Sequence, residues 1–247
     1  MEGLLLYRRS KLSGILNGID LQTWNPATDP SIVANYSAAT LEKKAENKLD
    51  LQKTLQLTPD PDAIVFGVIS RLAVQKGIDL IIEAISEMPD RNFQLALLGS
   101  GDSKLQQQLK KLSEKFPERV AVVFGFDEKL SHKIEAGADV FVMPSRYEPC
   151  GLNQMYSHRY GTLPLVTRVG GLADTVIDYT EGIESANGFV IDSADSKPLI
   201  DSMLTTMDLF ADKSSWTQMQ RNAMSADYSW AESASCLLYT SPSPRDS

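Results

Sequence analysis

Between residues 63 and 191 the sequence alternates short apolar runs with longer amphipathic segments. Short, continuously apolar runs are typical of strands that are buried on both faces of a sheet. They span residues 63–69, 93–98, 119–124, 139–143, 163–166 and 188–191, and the segments between them begin near Gly77, Asp102, Asp127 and Gly151. Parallel strands joined by right-handed crossovers carry helices on both faces. The pattern therefore predicts an α/β fold with a doubly wound, Rossmann-like parallel sheet.

The rest of the chain divides into a leading segment, one domain and a tail. Residues 1–30 are rich in Asn, Gly, Pro and Asp, which favour turns, and we interpret them as an interdomain linker. Residues 31–235 form the Rossmann-like domain, which includes a helix predicted over 41–57. After Ser233 we expect helical structure to stop, because two prolines follow in the final residues. Residues 236–247 are therefore interpreted as a non-native-looking tail.

The composition argues against several classes of partner. A net charge of −8 and an isoelectric point near 4.9 disfavour nucleic acid as a partner of the whole protein. The sequence lacks a run of about 18 apolar residues, so no membrane partner is expected. Cys150 and Cys236 are too few for a disulfide framework, and neither has the C-x-x-C spacing of a metal site. These observations favour a cytoplasmic protein.

In doubly wound sheets, ligands bind beyond the carboxyl ends of the strands, where the strand order reverses. The first predicted strand is followed there by Arg71 and Lys76 within one strand-to-helix loop. A guanidinium fork, an ammonium group and a helix N-terminus together suit a diphosphate. Two solvated surface cations would explain the same residues equally well. The pair is a candidate anion site that needs support from other loops.

Two glycine turns follow other predicted strands. Gly99 and Gly101 would let the backbone approach a ligand, but a tight turn with Asp102 as the helix N-cap fits equally well. This turn follows the second strand and lacks the third glycine of a dinucleotide fingerprint, so NAD binding is disfavoured. For Gly170 and Gly171, a close approach to a ligand and a loop that needs positive φ both remain open.

The segment after the fourth strand, residues 144–154, combines several unusual features. Glu148 lies in a rigid loop, and Gly151 to Asn153 open a helix whose N–H groups suit an anion. A carboxylate so near a phosphate is unfavourable unless it serves sugar hydroxyls or a charge that develops during reaction. Cys150 is a candidate nucleophile, but a small buried residue is the commoner explanation.

Two ring side chains follow the third predicted strand. Phe126 lies where a flat base would stack on it, although a core or helix-staple phenylalanine is slightly favoured. His132 lies on the next helix without a Cys, Asp or second His at ligand spacing, so no catalytic role is assigned to it.

The motifs at residues 70–77, 98–102, 144–152 and 170–176, taken together and in this order, resemble bacterial glycogen synthases and plant starch synthases. The resemblance extends from Leu12 to Trp230 with compatible spacing. It implies a GT-B glycosyltransferase, built from two Rossmann-like domains across a cleft, of which this chain is the C-terminal donor domain. The reaction implied is transfer of α-glucose, with retention, from ADP-glucose to the non-reducing end of an α-1,4-glucan.

The resemblance also implies roles for individual residues. Arg71 and Lys76 would neutralise the departing diphosphate, Glu148 would hold the donor glucose, and Phe126 would stack on the adenine. The other substrate-binding residues expected are Gly99, Gly101, Cys150, Gly151, Leu152 and Asn153. Fixed cations would stabilise the leaving group without a metal or other cofactor. Glu148 has no evident carboxylate partner of the kind a glycoside hydrolase needs, so hydrolysis is disfavoured.

Several alternatives remain at this point. The family carries its acceptor domain before the donor domain, so this polypeptide is expected to be inactive alone, as an isolated nucleotide-sugar-binding module. A related GT-B transferase with another sugar nucleotide is disfavoured, because such relatives commonly carry a second Glu eight positions after the first, where this sequence has Tyr156. The choice between ADP-glucose and UDP-glucose stays open, and a plastid is the alternative to the cytoplasm.

Overall fold

Six parallel strands form the sheet in the computed structural model, which describes residues 2–12 and 14–240. The strands are β1 (Ile64–Leu72), β2 (Phe93–Gly101), β3 (Val120–Phe124), β4 (Val140–Met143), β5 (Leu163–Thr167) and β6 (Phe189–Ile191). Their order across the sheet is β3-β2-β1-β4-β5-β6, and every neighbouring pair is parallel. The predicted doubly wound α/β sheet is confirmed, and each predicted apolar run overlaps one strand.

Helices connect and cover these strands. They are α1 (Glu2–Tyr7), α2 (Lys44–Thr54), α3 (Ile78–Glu87), α4 (Ser103–Lys115), α5 (Glu128–Gly137), α6 (Asn153–Arg159), α7 (Gly170–Thr175), α8 (Ser196–Ala211), α9 (Lys213–Ser225) and α10 (Trp230–Thr240). Helices α3 to α6 each begin within two residues of the predicted starts. The helix predicted over 41–57 is a 3-10 turn, Leu41–Lys43, that continues into α2.

Successive side chains of each strand point to opposite faces of the sheet, and both faces are covered by helices. In β1, Phe66 and Val68 pack into the larger core, which α3, α4, α8 and α9 complete. Val65 points to the other face, where Leu51 of α2 and Ile134 of α5 pack against it. Each fully buried side chain of this size stabilises the fold by about 1.5–3 kcal/mol. This core fixes the position of β1 and hence of the loop that follows it.

Local backbone requirements set the loops that follow β1 and β2. Gly77 has a φ of +70°, and a Cβ at this position would lie 2.2 Å from the carbonyl oxygen of Pro144. Only glycine satisfies both conditions without strain. Asp102 caps α4, because its side chain accepts hydrogen bonds from the N–H groups of Lys104 and Leu105 at 2.8 and 3.1 Å. The N-cap interpretation of Asp102 is therefore confirmed.

Part of the predicted linker, residues 1–30, lies against the domain. Trp24 stacks on His132 and on Tyr156, with ring centroids 4.1 and 3.9 Å apart. Asp29 is buried, and its Oδ2 lies 2.7 Å from His132 Nδ1. His132 therefore anchors this segment, which agrees with the absence of a catalytic assignment. The interdomain role of the segment stays a prediction.

Helix α10 corrects one expectation about the end of the chain. It extends to Thr240, so helical structure does not stop after Ser233 and includes residues 236–240 of the predicted tail. Proline is disfavoured in the interior of a helix and disfavours helical conformation at the preceding residue. Pro242 therefore permits a helix that ends at Thr240. Both prolines fall within 241–247, outside the described residues, and the non-native origin of the tail stays a prediction.

Candidate functional site

A cleft of about 180 Å³ opens at the carboxyl ends of β1 and β4, where the strand order reverses. The end of β1, the loop after it and the loop after β4 line this cleft. Six of the predicted site residues are brought together here: Arg71, Lys76, Glu148, Gly151, Leu152 and Asn153. The sequence alone placed these residues in two separate loops, and the strand order makes the loops neighbours.

Lys76 and Glu148 form an ion pair across this cleft. The Lys76 side chain keeps 24% of its accessible surface and the Glu148 side chain 9%, so the pair is largely withdrawn from water. Mutual attraction offsets the desolvation of both charges. A carboxylate neutralised in this way repels a nearby phosphate less than an unpaired one would, for as long as the pair stays intact.

Arg71 lies at the rim of the same cleft and is exposed. Its Nη2 donates a hydrogen bond to Gln75 Oε1 at 3.3 Å. Lys76 is paired and mostly buried, so the interpretation of both residues as ordinary solvated cations does not hold for Lys76. The two cations face one cleft, and their action on a diphosphate stays a prediction.

The first residues of α6 form another wall of the cleft. Gly151 has a φ of +74°, and a Cβ there would lie 2.5 Å from Gln154 Oε1. Asn153 Nδ2 donates to the Ile69 carbonyl at 2.7 Å and so fastens α6 to β1. Cys150 is half-buried rather than fully buried, and it lies beside the lining residues rather than among those that the structure places on the cleft surface.

The glycine pair that opens α7 supports the Glu148 loop. Gly170 has a φ of +46°, and a Cβ on it would lie 1.9 Å from the carbonyl oxygen of Glu148. A Cβ on Gly171 would lie 2.3 Å from the carbonyl oxygen of Cys150, and the Gly171 N–H donates to the Pro149 carbonyl at 3.1 Å. Both features considered from the sequence, positive φ and close backbone approach, occur together. The approach is to the Glu148 loop itself, which the sequence did not indicate.

A second cavity, of about 330 Å³, continues from the cleft toward the ends of β2 and β3. The two share four lining residues: Ile69, Ser70, Arg71 and Asn153. Gly99 lines the second cavity, and a Cβ on it would lie 2.1 Å from the Ser70 carbonyl oxygen. Gly101 is not among the described lining residues; a Cβ there would lie 2.3 Å from the Leu72 carbonyl oxygen. Both glycines permit close contact with β1.

Phe126 lies in this second cavity with its ring almost fully in solvent, at 88% exposure. The core or helix-staple interpretation is therefore wrong. Gly125, with a φ of +132°, turns the chain immediately before it, and Asp127 caps α5 immediately after it. The ring is held at a helix entrance without being buried, which leaves it available to a planar ligand.

Two buried titratable groups, His158 on α6 and Glu135 on α5, have strongly shifted pKa values. Burial lowers the pKa of His158 to about 4, and its Nδ1 and Nε2 lie 2.7 Å from the Tyr228 hydroxyl and 3.2 Å from the Asn187 carbonyl oxygen. Burial raises the pKa of Glu135 to about 8, although the Ser157 hydroxyl donates to it at 2.8 Å. Both groups are therefore held uncharged near neutral pH, one on the helix that carries Asn153 and the other hydrogen-bonded to Ser157 of that helix.

Gln75 and Arg146 contact both loops of the site, and sequence reasoning did not single them out. Their position inside the two motif segments was the only available signal.

Within residues 2–12 and 14–240, no three His, Cys, Asp or Glu side chains cluster as metal ligands would. No helix in the described part of the chain is long and apolar enough to cross a bilayer.

Comparison with known proteins identifies the class. The family model for group 1 glycosyl transferases matches residues 32–223, so the chain belongs to this family. The fold also matches the C-terminal domain of a group 1 glycosyl transferase from Francisella tularensis, with a TM-score of 0.60 and 18% identity over 84% of this chain and 95% of that one. The architecture is that of one Rossmann-like domain of a GT-B glycosyltransferase.

Within this family the chain is similar to glycogen and starch synthases. It is 50% identical to glycogen synthase from Aromatoleum aromaticum over 237 residues, which are 95% of this chain and 48% of that protein. It is 35% identical, with a TM-score of 0.87, to the catalytic domain of starch synthase IV from Arabidopsis thaliana bound to ADP and acarbose, covering 96% of this chain and 50% of that one. The chain spans about half the length of these relatives. The resemblance inferred from the motifs is confirmed.

Proposed function

We propose that this chain binds the donor in a retaining glucosyltransferase that moves α-glucose from ADP-glucose to the non-reducing end of an α-1,4-glucan. One observation carries the proposal. The Lys76–Glu148 pair, the Arg71 guanidinium and the exposed Phe126 ring lie along two joined cavities. A sugar diphosphate with a flat base needs these groups in this order: a carboxylate for sugar hydroxyls, cations for phosphate, and a ring for the base.

The proposed chemistry uses the residue types present. Cleavage of the sugar–phosphate bond leaves positive charge at the anomeric carbon and negative charge on the diphosphate. Arg71 and Lys76 stabilise that negative charge as fixed cations in a partly desolvated cleft, where electrostatic interactions are stronger than in water. Glu148 accepts hydrogen bonds from glucose hydroxyls once Lys76 turns to the phosphate. The reaction proposed in this way requires no metal or other cofactor.

ADP-glucose is favoured over UDP-glucose as the donor. The solved starch synthase at 35% identity is bound to ADP. A purine presents a larger face than a pyrimidine to the Phe126 ring, which favours the adenine nucleotide through stacking. The α-glucan acceptor and retention are proposed from the glycogen synthase relatives at about half their length. A cytoplasmic location, with a plastid as the alternative, likewise stays a prediction.

Glucan elongation tests this proposal. The chain is joined to the N-terminal half of the Aromatoleum aromaticum glycogen synthase, and transfer from ADP-glucose and UDP-glucose to a maltooligosaccharide is measured. We expect transfer from ADP-glucose with formation of a new α-linkage, detected by proton NMR. Preferential use of UDP-glucose would overturn the donor assignment.

A second candidate function concerns the chain by itself. The chain spans about half the length of its glycogen synthase relatives, and both cavities lie within its one domain, so we propose that this polypeptide by itself acts as a nucleotide-sugar-binding module. We expect ADP binding without elongation by this chain alone. Elongation by the chain alone would contradict this expectation.

A further inference from the structure

The loops after β1 and β4 are joined by more than the Lys76–Glu148 pair. The Arg146 guanidinium forms two parallel hydrogen bonds with the Asp79 carboxylate, Nη1 to Oδ1 at 2.8 Å and Nη2 to Oδ2 at 2.7 Å. The Arg146 backbone N–H donates to the Gln75 carbonyl at 2.9 Å. In return, Gln75 Nε2 donates to the Tyr147 carbonyl at 3.1 Å. We call this set of contacts the Asp79–Arg146 clip.

The clip lies directly beside the charged pair of the cleft. Gln75 precedes Lys76, and Tyr147 precedes Glu148. Gln75 Oε1 also accepts the hydrogen bond from Arg71, so one amide side chain contacts the exposed cation and the opposite loop. The clip therefore links the two segments that carry Lys76 and Glu148.

A role in stability alone does not account for this arrangement. The side chains of Arg146 and Asp79 are each 35% exposed, so solvent screening limits the contribution of the pair to the free energy of unfolding. A bidentate Arg–carboxylate pair does, however, fix the relative orientation of the two segments that carry its partners. The geometry favours positioning over stabilisation.

Ligand binding makes a second contact between the two loops necessary. Lys76 and Glu148 contact each other in the cleft, but a sugar diphosphate requires Lys76 at phosphate and Glu148 at the sugar. The ligand therefore breaks the direct link between the two loops. We propose that Asp79 and Arg146 are positioning residues that keep the loops in register when this link is broken. The proposal rests on the proposed function for its ligand.

Amide hydrogen exchange of the full 247-residue chain without ligand tests the clip itself, in a Lys76→Ala background that breaks the Lys76–Glu148 link as the ligand would. Asp79→Asn removes the charged partner and Asp79→Glu retains it. Asp50→Asn is the control, because it breaks the Lys133–Asp50 pair, whose atoms lie 2.8 Å apart between α2 and α5 and do not line either cavity. We expect about tenfold faster exchange over residues 144–152 in Asp79→Asn, partial recovery in Asp79→Glu and no change there in the control. Unchanged exchange in Asp79→Asn would overturn the proposal.

Calorimetric titration with ADP then tests positioning. We expect Asp79→Asn to bind ADP about tenfold more weakly than the wild type and the Asp50→Asn control, with recovery in Asp79→Glu. Faster exchange with unchanged ADP affinity would reduce the clip to a structural contact and overturn the positioning role. Absence of ADP binding by the wild type would instead refute the proposed function. The exchange result would still show, independently of ADP, whether the clip restrains residues 144–152.

Discussion

Lys76 and Glu148 neutralise each other, and this changes how a substitution of either residue should be interpreted. Removing Lys76 leaves a carboxylate that is only 9% exposed without its ion-pair partner, which destabilises the fold by about 1–3 kcal/mol. Removing Arg71, which is exposed, leaves no comparable buried charge. Equal losses of ligand binding in the two variants therefore need not have the same cause. The free energy of unfolding has to be measured beside the ADP affinity, to separate a loss of stability from the loss of a ligand contact.

Phe126 offers a cleaner test at the residue scale, because its ring is 88% exposed. We predict that Phe126→Ala changes the free energy of unfolding by less than about 0.5 kcal/mol. The same variant should bind ADP about 5- to 150-fold more weakly, because one stacked base contributes about 1–3 kcal/mol. Urea denaturation and calorimetry measure the two effects. Unchanged ADP affinity would remove Phe126 from the site.

The residues of the cleft illustrate what a sequence does and does not determine. Arg71, Lys76 and Glu148 could be assigned to one edge of the sheet, because parallel strands end at the same edge. That Lys76 and Glu148 touch depends on β1 and β4 being neighbours, a long-range pairing that local patterns do not encode. For Phe126 the local pattern alone slightly favoured a core residue, because apolar character favours burial on average and nothing local indicated the outward turn after Gly125; only the family resemblance predicted a ring available for stacking.

At the element scale, the first turn of α7 acts as a support for the Glu148 loop. We predict that Gly170→Ala weakens ADP binding by at least about tenfold, since the added Cβ would lie 1.9 Å from the Glu148 carbonyl oxygen and displace the loop. Gly182→Ala is the matched control: its φ is +109°, and no atom among the described residues lies within 4 Å of the added Cβ. Gly182→Ala should reduce stability through backbone strain alone.

Equal ADP affinity in the Gly170→Ala and Gly182→Ala variants would contradict a supporting role for α7. Calorimetry of both variants, with circular dichroism to confirm folding, makes the comparison.

The strands and helices themselves were predictable because apolar runs and capping residues such as Asp102 are local signals. The support by α7 was not, because a Gly-Gly pair has the same appearance whether it faces a ligand or another loop.

At the scale of the whole molecule, His158 joins α6 to the segment after α9. Its Nε2 lies 3.2 Å from the Asn187 carbonyl oxygen and its Nδ1 lies 2.7 Å from the Tyr228 hydroxyl, and burial disfavours the charged ring. Its pKa in the folded chain, about 4, lies below the ordinary value of 6.5, so the unfolded chain binds more protons at intermediate pH. The stabilisation is complete above about pH 6.5 and is lost as the pH falls toward 4.

We therefore predict that lowering the pH from 7 to 5 decreases the free energy of unfolding by about 2 kcal/mol through His158 alone. Urea denaturation at both pH values measures the change. In a His158→Gln variant, which keeps a hydrogen-bonding side chain, the decrease should be smaller by about this amount. A His158→Gln variant with the same pH dependence as the wild type would refute the assignment.

The account as a whole requires that this chain recognise a nucleoside diphosphate by itself, because the cleft and the second cavity lie within one domain. Calorimetric titration of the wild-type chain with ADP, beside Lys76→Ala and the exposed control Lys110→Ala, tests this most directly. We predict one ADP site per chain in the wild type and in Lys110→Ala, with affinity reduced at least about tenfold in Lys76→Ala. No ADP binding by a folded wild-type chain, or equal affinity in Lys76→Ala, would contradict the account.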